Sequence, residues 1–304
     1  MNDPLQSSAD QQQLTVLTPP GWVDYALLDS GAGLKLERYG RYIFVRPEPQ
    51  AMWPKSAPPK LWASAQAVFE PSPEESGGHW RQVHPVDPSW TLRWGELKFQ
   101  ARLTAGRHLG VFPEQASQWQ WLSDLIHSTS QPTRVLNLFG YTGLATLAAA
   151  QAGAAVTHVD ASKKAVSWAR ENQALSGLSD KPIRWLVDDA VKFVEREVRR
   201  GSTYEGIILD PPKFGRGPKG EVWEFFDLFP RLLDACRTLL SPQPLFLVVT
   251  AYAIRASALS LHYSVKESLA SLGGQTVSGE LALRQLDSDR LVPTAIFTRW
   301  HSGG

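Results

Sequence analysis

The chain has 304 residues, 43% of them hydrophobic, enough for a large core in one big or two ordinary domains. Its formal net charge of +1 provides no global field for nucleic acid or acidic lipid, and its single cysteine excludes an intrachain disulfide and a thiolate metal cage. No apolar run approaches the ~18–20 residues of a membrane span, so a soluble cytoplasmic protein with no membrane and no metal partner is expected.

Residues 1–20 are polar, lack a secretory pattern and end in Pro19-Pro20-Gly21, which predicts a disordered tail. Residues 21–105 predict a small β-rich accessory domain. Tyr25–Leu28, Leu34–Glu37 and Tyr42–Val45 are strand candidates between glycine turns. Five prolines in 47–59 predict an extended loop. Leu92–Trp94 and Leu97–Ala101 flank Gly95-Glu96 as a hairpin. Residues 1–104 hold ten Lys/Arg against eleven Asp/Glu, so this part has no basic footprint. Eight of the twelve tryptophans precede residue 130. They are expected to fill a core rather than to stack bases.

Residues 105–113 form a joint, in which Arg107 and His108 are candidates for facing a cleft. A helix is predicted over 114–127. A regular alternation follows, with strands at 134–139, 155–160, 183–187, 206–210 and 244–250. Helices are predicted at 143–152, 163–176, 189–199 and about 222–240, where Pro230 is expected to kink or restart the last. Such an alternation builds a parallel α/β sheet with right-handed crossovers. After a helix at 255–272, the runs Thr276–Arg284 and Leu291–Trp300 are too close for a crossover and should pair antiparallel.

Chemistry-bearing residues sit at the ends of these strands. Val135-Leu-Asn-Leu-Phe-Gly-Tyr-Thr-Gly143 reads as a buried strand, a glycine turn and a helix start, the usual beginning of a nucleotide-type site. Glycines there allow positive φ and close approach of a ligand. Asp160 ends the second strand, where a carboxylate accepts both hydroxyls of a ribose; the competing role is a helix cap. Of Asp188 and Asp189, one can cap the following helix and the other can accept from an adenine amine, and Asp189 is favoured for the ligand. Asp210-Pro211-Pro212-Lys213-Phe214 ends the fourth strand. A carboxylate followed by proline carbonyls makes an acceptor-rich wall for an amine that must lose a proton, and Phe214 can stack on a planar ring. Gly215–Gly220 reads as a flexible basic loop. His79, His84 and Asp87 do not make a closed metal-ligand set. Arg196, Arg199 and Arg200 are placed to complement a helix C-terminus.

These motifs resemble the class I S-adenosylmethionine-dependent methyltransferases, from about residue 106 to the end. Within that class, Asn137–Gly143, Asp188-Asp189 and Asp210–Phe214 resemble the branch of 23S rRNA cytosine-C5 and guanine-N7 methyltransferases. The resemblance implies a Rossmann-like methyltransferase sheet over 106–304, its parallel strands closed by a terminal antiparallel hairpin. It implies S-adenosylmethionine as cofactor, with Phe112, Asn137, Phe139, Gly140, Thr142, Asp160 and Asp189 lining its site. Tyr141, Gly143, Ser162 and Asp210 complete the expected set. Asp210, Pro211, Pro212 and Phe214 are the expected catalytic group, acting on a nitrogen or oxygen of a planar substrate, an RNA base being the expected partner. The cytosine-C5 members carry a nucleophilic cysteine after the fifth strand; here Val249-Thr-Ala-Tyr-Ala253 stands there. Cys236 falls on the apolar face of a helix and is not expected to react. Tyr252 is expected to close the site. The alternatives are a non-catalytic nucleotide-binding module and a small-molecule methyltransferase.

Overall fold

The computed structural model describes residues 13–72 and 77–303. The chain opens with β1 (Thr15–Leu17), β2 (Tyr25–Gly31), β3 (Leu34–Tyr39) and β4 (Tyr42–Pro47). The proline-rich segment then ends in a short helix, α1 (Pro59–Ala63), followed by β5 (Ala67–Pro71) and β6 (Gly78–Gln82). Strands β2 to β6 form one sheet in sequence order, antiparallel except for β4 with β5. A separate hairpin joins β7 (Trp90–Trp94) to β8 (Leu97–Ala101).

After a single 3-10 turn, Pro113–Gln115, the alternation begins: α2 (Ala116–Ser128), β9 (Arg134–Leu138), α3 (Leu144–Gln151), β10 (Ala155–Asp160), α4 (Lys163–Leu175), β11 (Ile183–Val187), α5 (Ala190–Arg200) and β12 (Gly206–Leu209). A small hairpin of β13 (Phe214–Arg216) and β14 (Val222–Glu224) precedes α6 (Phe225–Leu239), β15 (Phe246–Ala251), α7 (Ala258–Ser268), β16 (Gln275–Arg284) and β17 (Leu291–His301). The large sheet has the order β1-β16-β17-β15-β12-β9-β10-β11. Strands β9, β10, β11, β12 and β15 run parallel, and β16 and β17 add the expected antiparallel hairpin.

Local chemistry explains the helix starts. Ser162, Asp189 and Ser257 each accept a backbone N–H from the first turn of α4, α5 and α7. Helix α6 continues through Pro230 without a restart. Both Pro230 and Phe226, whose carbonyl loses its donor, are exposed, so water can replace the missing bond.

The expected disordered tail falls partly outside the described residues, but its end is ordered. Strand β1 pairs parallel with β16, at Thr15 with Gly279. A Cβ on Gly279 would lie 1.7 Å from the Thr15 carbonyl oxygen, so only glycine admits this strand.

One core runs from the β-rich part into the large sheet, joining Tyr39, Phe44, Trp90 and Phe99 to Trp119, Leu122, Val135 and Leu147. The eight early tryptophans all pack against core residues, Trp62 on a satellite cluster and the others on this one. The opposite face of the sheet packs on α5, α6 and α7 through Phe193, Phe229, Leu233, Leu261 and Val265. The outer edge of β8 is covered by α4. Gln100 N donates to Asn172 Oδ1 at 2.9 Å, Lys98 N donates to Ser176 Oγ at 3.0 Å, and Trp168 Nε1 donates to the Gln100 carbonyl at 3.2 Å.

A fully buried ion pair ties the β-rich part to the joint. Arg46 Nε and Nη2 donate to both oxygens of Glu37 at 2.7 and 2.8 Å, and Arg46 Nη1 reaches the Arg107 carbonyl at 3.0 Å. Tyr25 and Tyr39 hydroxyls complete the Glu37 shell at 3.0 and 3.2 Å. Burial pushes the Glu37 carboxyl up, but Arg46 and Lys35 overcome it and hold it down at about 2. Its contribution is therefore complete above the ordinary carboxylate range and is lost as pH falls toward 2. Arg46→Ala leaves the buried Glu37 with only the longer Lys35 contact at 3.7 Å and should cost about 3–5 kcal/mol. Urea unfolding at pH 7 measures this, and the double variant Arg46→Met, Glu37→Leu should recover much of the loss.

Candidate active site

The C-terminal ends of β9, β10, β11 and β12 open onto a cleft of about 570 Å³, within the ~300–1,000 Å³ of small-molecule pockets. Phe112, Phe139, Tyr141, Asp160, Ser162, Asp189, Asp210, Pro211, Pro212 and Phe214 all line it. A side cavity of about 50 Å³ adjoins it and is bordered by Asn137, Gly140 and Thr142. Gly143 lines neither.

In the turn after β9, Gly143 takes the expected positive φ (84°), but Gly140 does not. Positive φ also falls on Phe139 (58°) and Tyr141 (49°). Gly140 is needed for space, because a Cβ there would meet the His158 ring at 2.3 Å. His158 is buried, which lowers its pKa to about 3. It bonds Thr146 Oγ1 at 2.9 Å, and Thr146 accepts from Asn137 Nδ2 at 2.9 Å. Asn137 thus braces the turn from below. Thr142 Oγ1 donates to the Gly110 carbonyl at 2.6 Å and fastens the joint across the turn.

Asp160 clasps this turn. One oxygen accepts from Tyr141 N and the other from Ser162 N, both at 2.8 Å. Burial raises its pKa against these two bonds. Each oxygen keeps a lone pair free, and Asp160 is not the helix cap; Ser162 Oγ fills that role for α4 at 3.2 Å. The two acids after β11 divide their work differently from expectation. Asp189, favoured for the ligand, caps α5 through Oδ1. Asp188 accepts from Asp189 N and pairs with Arg196, which is therefore not a free helix-end cation. Asp189 Oδ2 retains no hydrogen-bond partner among the described residues.

The acceptor wall after β12 is narrower than expected. Trp223 Nε1 donates to the Pro212 carbonyl at 2.6 Å, and Phe225 N takes the Lys213 carbonyl at 3.0 Å. The Asp210 carboxylate and the Pro211 carbonyl remain. The expected basic loop is the β13–β14 hairpin, closed by Gly217 N to the Glu221 carbonyl at 2.8 Å and pinned by the Lys192–Glu221 pair at 2.7 Å. Residues 222–224 therefore belong to a strand, and the predicted helix starts only at Phe225. Phe214 stands 50% exposed at the cleft mouth, with Arg216 5.9 Å over its ring.

Asp210 opens on the cleft but is walled by protein elsewhere, and Gln115 Nε2 donates to it at 3.1 Å. Burial first, then the nearby Glu114 charge, pushes its pKa up to about 8. Glu114 and Gln115 open the stretch expected as a helix over 114–127, but they lie on the 3-10 turn before α2. Their signal, a proline opening a 3-10 turn, was there to be read. Tyr252 packs on Phe112 at 5.0 Å, and its hydroxyl is buried. His108 lines the cleft, its ring tilted against Phe112 at 4.3 Å, and is held neutral mainly by burial. Of the rejected metal candidates, His79 pairs with Glu70 and Asp87 with Arg41.

The S-adenosylmethionine-dependent methyltransferase family matches residues 60–268. The chain belongs to this family. A solved S-adenosylmethionine-dependent methyltransferase from Agrobacterium tumefaciens is 50% identical with a TM-score of 0.91, covering 95% of this chain and 94% of that one. A candidate methyltransferase from Streptococcus mutans shares the fold alone, at 17% identity and a TM-score of 0.69, over 91% of this chain and 75% of that one. The ribosomal RNA large subunit methyltransferase K/L of a Shewanella species (strain MR-4) is 35% identical over 157 residues, 50% of this chain and 21% of that protein. The chain thus spans about a fifth of that relative's length.

The cofactor of this family is S-adenosylmethionine, and the methyltransferase cleft fits it chemically. Asp160 offers free carboxylate lone pairs for ribose hydroxyls. Asp189 Oδ2 offers one for an amine, and the aromatic walls line the same space. No helix among the described residues is long and apolar enough to cross a membrane. Asp160→Ala should weaken S-adenosylmethionine binding by roughly 1.5–3 kcal/mol, as loss of a charge-assisted acceptor does. Calorimetry measures this, and an unchanged affinity would show that the ribose lies elsewhere.

Proposed function

We propose that this chain transfers the methyl group of S-adenosylmethionine directly to a nitrogen or oxygen of a planar ring, and that the ring is a base in RNA. The observation that carries the reading is the pairing of Asp210, open to the cleft at the end of β12, with Phe214 standing half-exposed at its mouth. When bound, the cofactor supplies an electrophilic methyl group on a positively charged sulfonium. Asp160 holds its ribose and Asp189 its adenine amine. Phe112, Phe139 and Tyr141 exclude water around it. Phe214 stacks on the acceptor ring, and the Pro211 carbonyl orients the acceptor group. Asp210 takes the proton that the acceptor must lose. Placing donor and acceptor in line provides most of the acceleration in such a transfer.

The route needs no covalent link to the enzyme. Cys236, the chain's single cysteine, is fully buried on the apolar face of α6, away from the cleft, and burial raises its thiol pKa. RNA as acceptor is supported by the ribosomal RNA methyltransferase among the relatives and by the exposed cations Lys213, Arg216 and Lys219 on and beside the hairpin. With so few cations, binding should follow a shallow salt slope, about three phosphates' worth.

Asp210→Asn should abolish or sharply reduce transfer while cofactor binding at pH 6 stays within a few-fold of wild type. Phe214→Ala should weaken the acceptor by ~1–3 kcal/mol. The assay is methyl incorporation into bulk RNA from cells lacking the protein, with mass spectrometry to locate the modified base. Equal activity on free nucleosides, with no salt dependence, would replace RNA by a small heteroaromatic acceptor. Cys236→Ala should keep turnover and lose ~1–2 kcal/mol of stability; a folded, cofactor-binding variant without turnover would restore the thiol as a nucleophile.

A further inference from the structure

Arg299 on β17 is a buried cation without a counter-ion. It is only 9% exposed, and no carboxylate lies within ion-pair distance of it among the described residues. Its guanidinium forks onto the first turn of α2. Nε donates to Gln118 Oε1 at 2.5 Å and Nη2 to the Ser117 carbonyl at 2.6 Å, and the group lies over the Trp121 ring at 4.8 Å. Burial pulls its pKa down to about 10, which leaves it charged at neutral pH. Stability does not account for this arrangement. The first turn is the end of a helix that disfavours a cation, and a well-packed apolar side chain of similar size is often as stabilising as a buried ion. Gln118 Nε2, the other end of the same amide, has no hydrogen-bond partner among the described residues.

The fork does fix the spacing of two elements of the site. Arg299, Val248 and Ile208 stand in one row across β17, β15 and β12. Asp210 follows two residues after Ile208, and alternate residues of a strand share a face. On the other element, Gln115 opens α2 two residues before Ser117. Its side chain makes no cap bond with the helix and instead donates to Asp210 Oδ2 at 3.1 Å. We propose that Arg299 is a positioning residue for methyl transfer: by fixing the first turn of α2 against the sheet, it sets Gln115 so that Asp210 is held by one carboxylate oxygen and presents the other to the acceptor. Arg299 itself lines neither the cleft nor the side cavity, so it acts through Gln115 and not by touching a ligand. The proposal rests on Asp210 taking the acceptor's proton, as in the reading above, but not on the acceptor being RNA.

The test uses the full chain, S-adenosylmethionine and bulk RNA from cells lacking the protein. Arg299→Met keeps an apolar stem in place and removes the fork. It should lower kcat about tenfold or more, as small misplacements in a transfer site do. The KM for S-adenosylmethionine should stay within about twofold, and thermal stability close to wild type. Gln115→Leu should lower kcat by a similar factor. The double variant should be no slower than Gln115→Leu alone, because both changes act on one bond. An arginine that served stability only would lower the melting temperature and leave the kcat of the folded enzyme unchanged. A kcat kept by Arg299→Met, or losses that multiply in the double variant, overturns the proposal. If Arg299→Met does not fold, Arg299→Lys, which keeps the charge but cannot fork, replaces it under the same criteria. A crystal structure of the variant needs no acceptor: Gln115 should have left Asp210, and an unchanged contact at 3.1 Å overturns the proposal. Transfer that survives Asp210→Asn sinks the role given to Asp210 above. Transfer abolished by Asp210→Asn but untouched by Arg299→Met sinks this proposal alone. If the wild type does not methylate RNA, the acceptor assignment fails and the crystal structure decides.

Discussion

Everything in the cleft hangs on a turn that has no room for a side chain at its centre. β9 and β10 end side by side, and the chain leaving β9 passes directly over the buried His158 ring. Gly140 fits because it has no Cβ. The turn's unfavourable dihedrals fall on its neighbours, Phe139 and Tyr141, at about 1–3 kcal/mol each. Backbone bonds from Gly140 N to the Val159 carbonyl and from Gly143 N to the Gly140 carbonyl, at 3.1 and 2.9 Å, help to offset that cost. So does the Asp160 carboxylate on Tyr141 N. The residue that offers itself to a ribose is thus also the one that holds the turn in shape, and a ligand there meets a preformed acceptor.

The β-rich part is more than a platform for packing. Arg46 carries its charge through the buried Glu37 pair to the backbone of the joint, which crosses the cleft with His108 and Phe112. Lys35 and Arg46 place positive charge behind Glu114, opposing the burial that raises its pKa. The cleft therefore takes its electrostatics from strands that do not line it. The hydrophobic core has the same continuity, since residues of β2, β4, β7 and β8 share one cluster with α2, α3 and β9.

Periodicity made the alternating part of the fold legible. The largely apolar runs at 135–138 and 206–209 are buried throughout, and β10 buries Val156, His158 and Val159 between partly exposed neighbours. Runs of this kind between helical stretches leave little choice of architecture. Short strands without such runs escaped: β1 has three residues, and β5 and β6 lie among prolines and polar residues. The β13–β14 hairpin was hidden by its glycines, which suggest looseness until Lys192 is seen to hold Glu221. Strand-end residues such as Asp160 and Asp210 were readable because position on a parallel sheet determines what they face. The behaviour of Asp210 was not, because Glu114 and Gln115 come to it from a turn nearly a hundred residues earlier in the chain.

Strand β1 has a consequence for the order in which the molecule assembles. It is made well before its partner around Gly279, which lies far along the chain. The parallel strands and their helices can fold while that partner is still being synthesised. Until then, Thr15–Leu17 has no strand to join, and a newly released β16 has an open edge at Gly279. Pairing them thus requires two segments far apart in the chain to meet, a contact of high sequence separation that forms slowly. Strand β1 thus acts as a late cover for Gly279–Leu281, satisfying that part of β16 within the same chain.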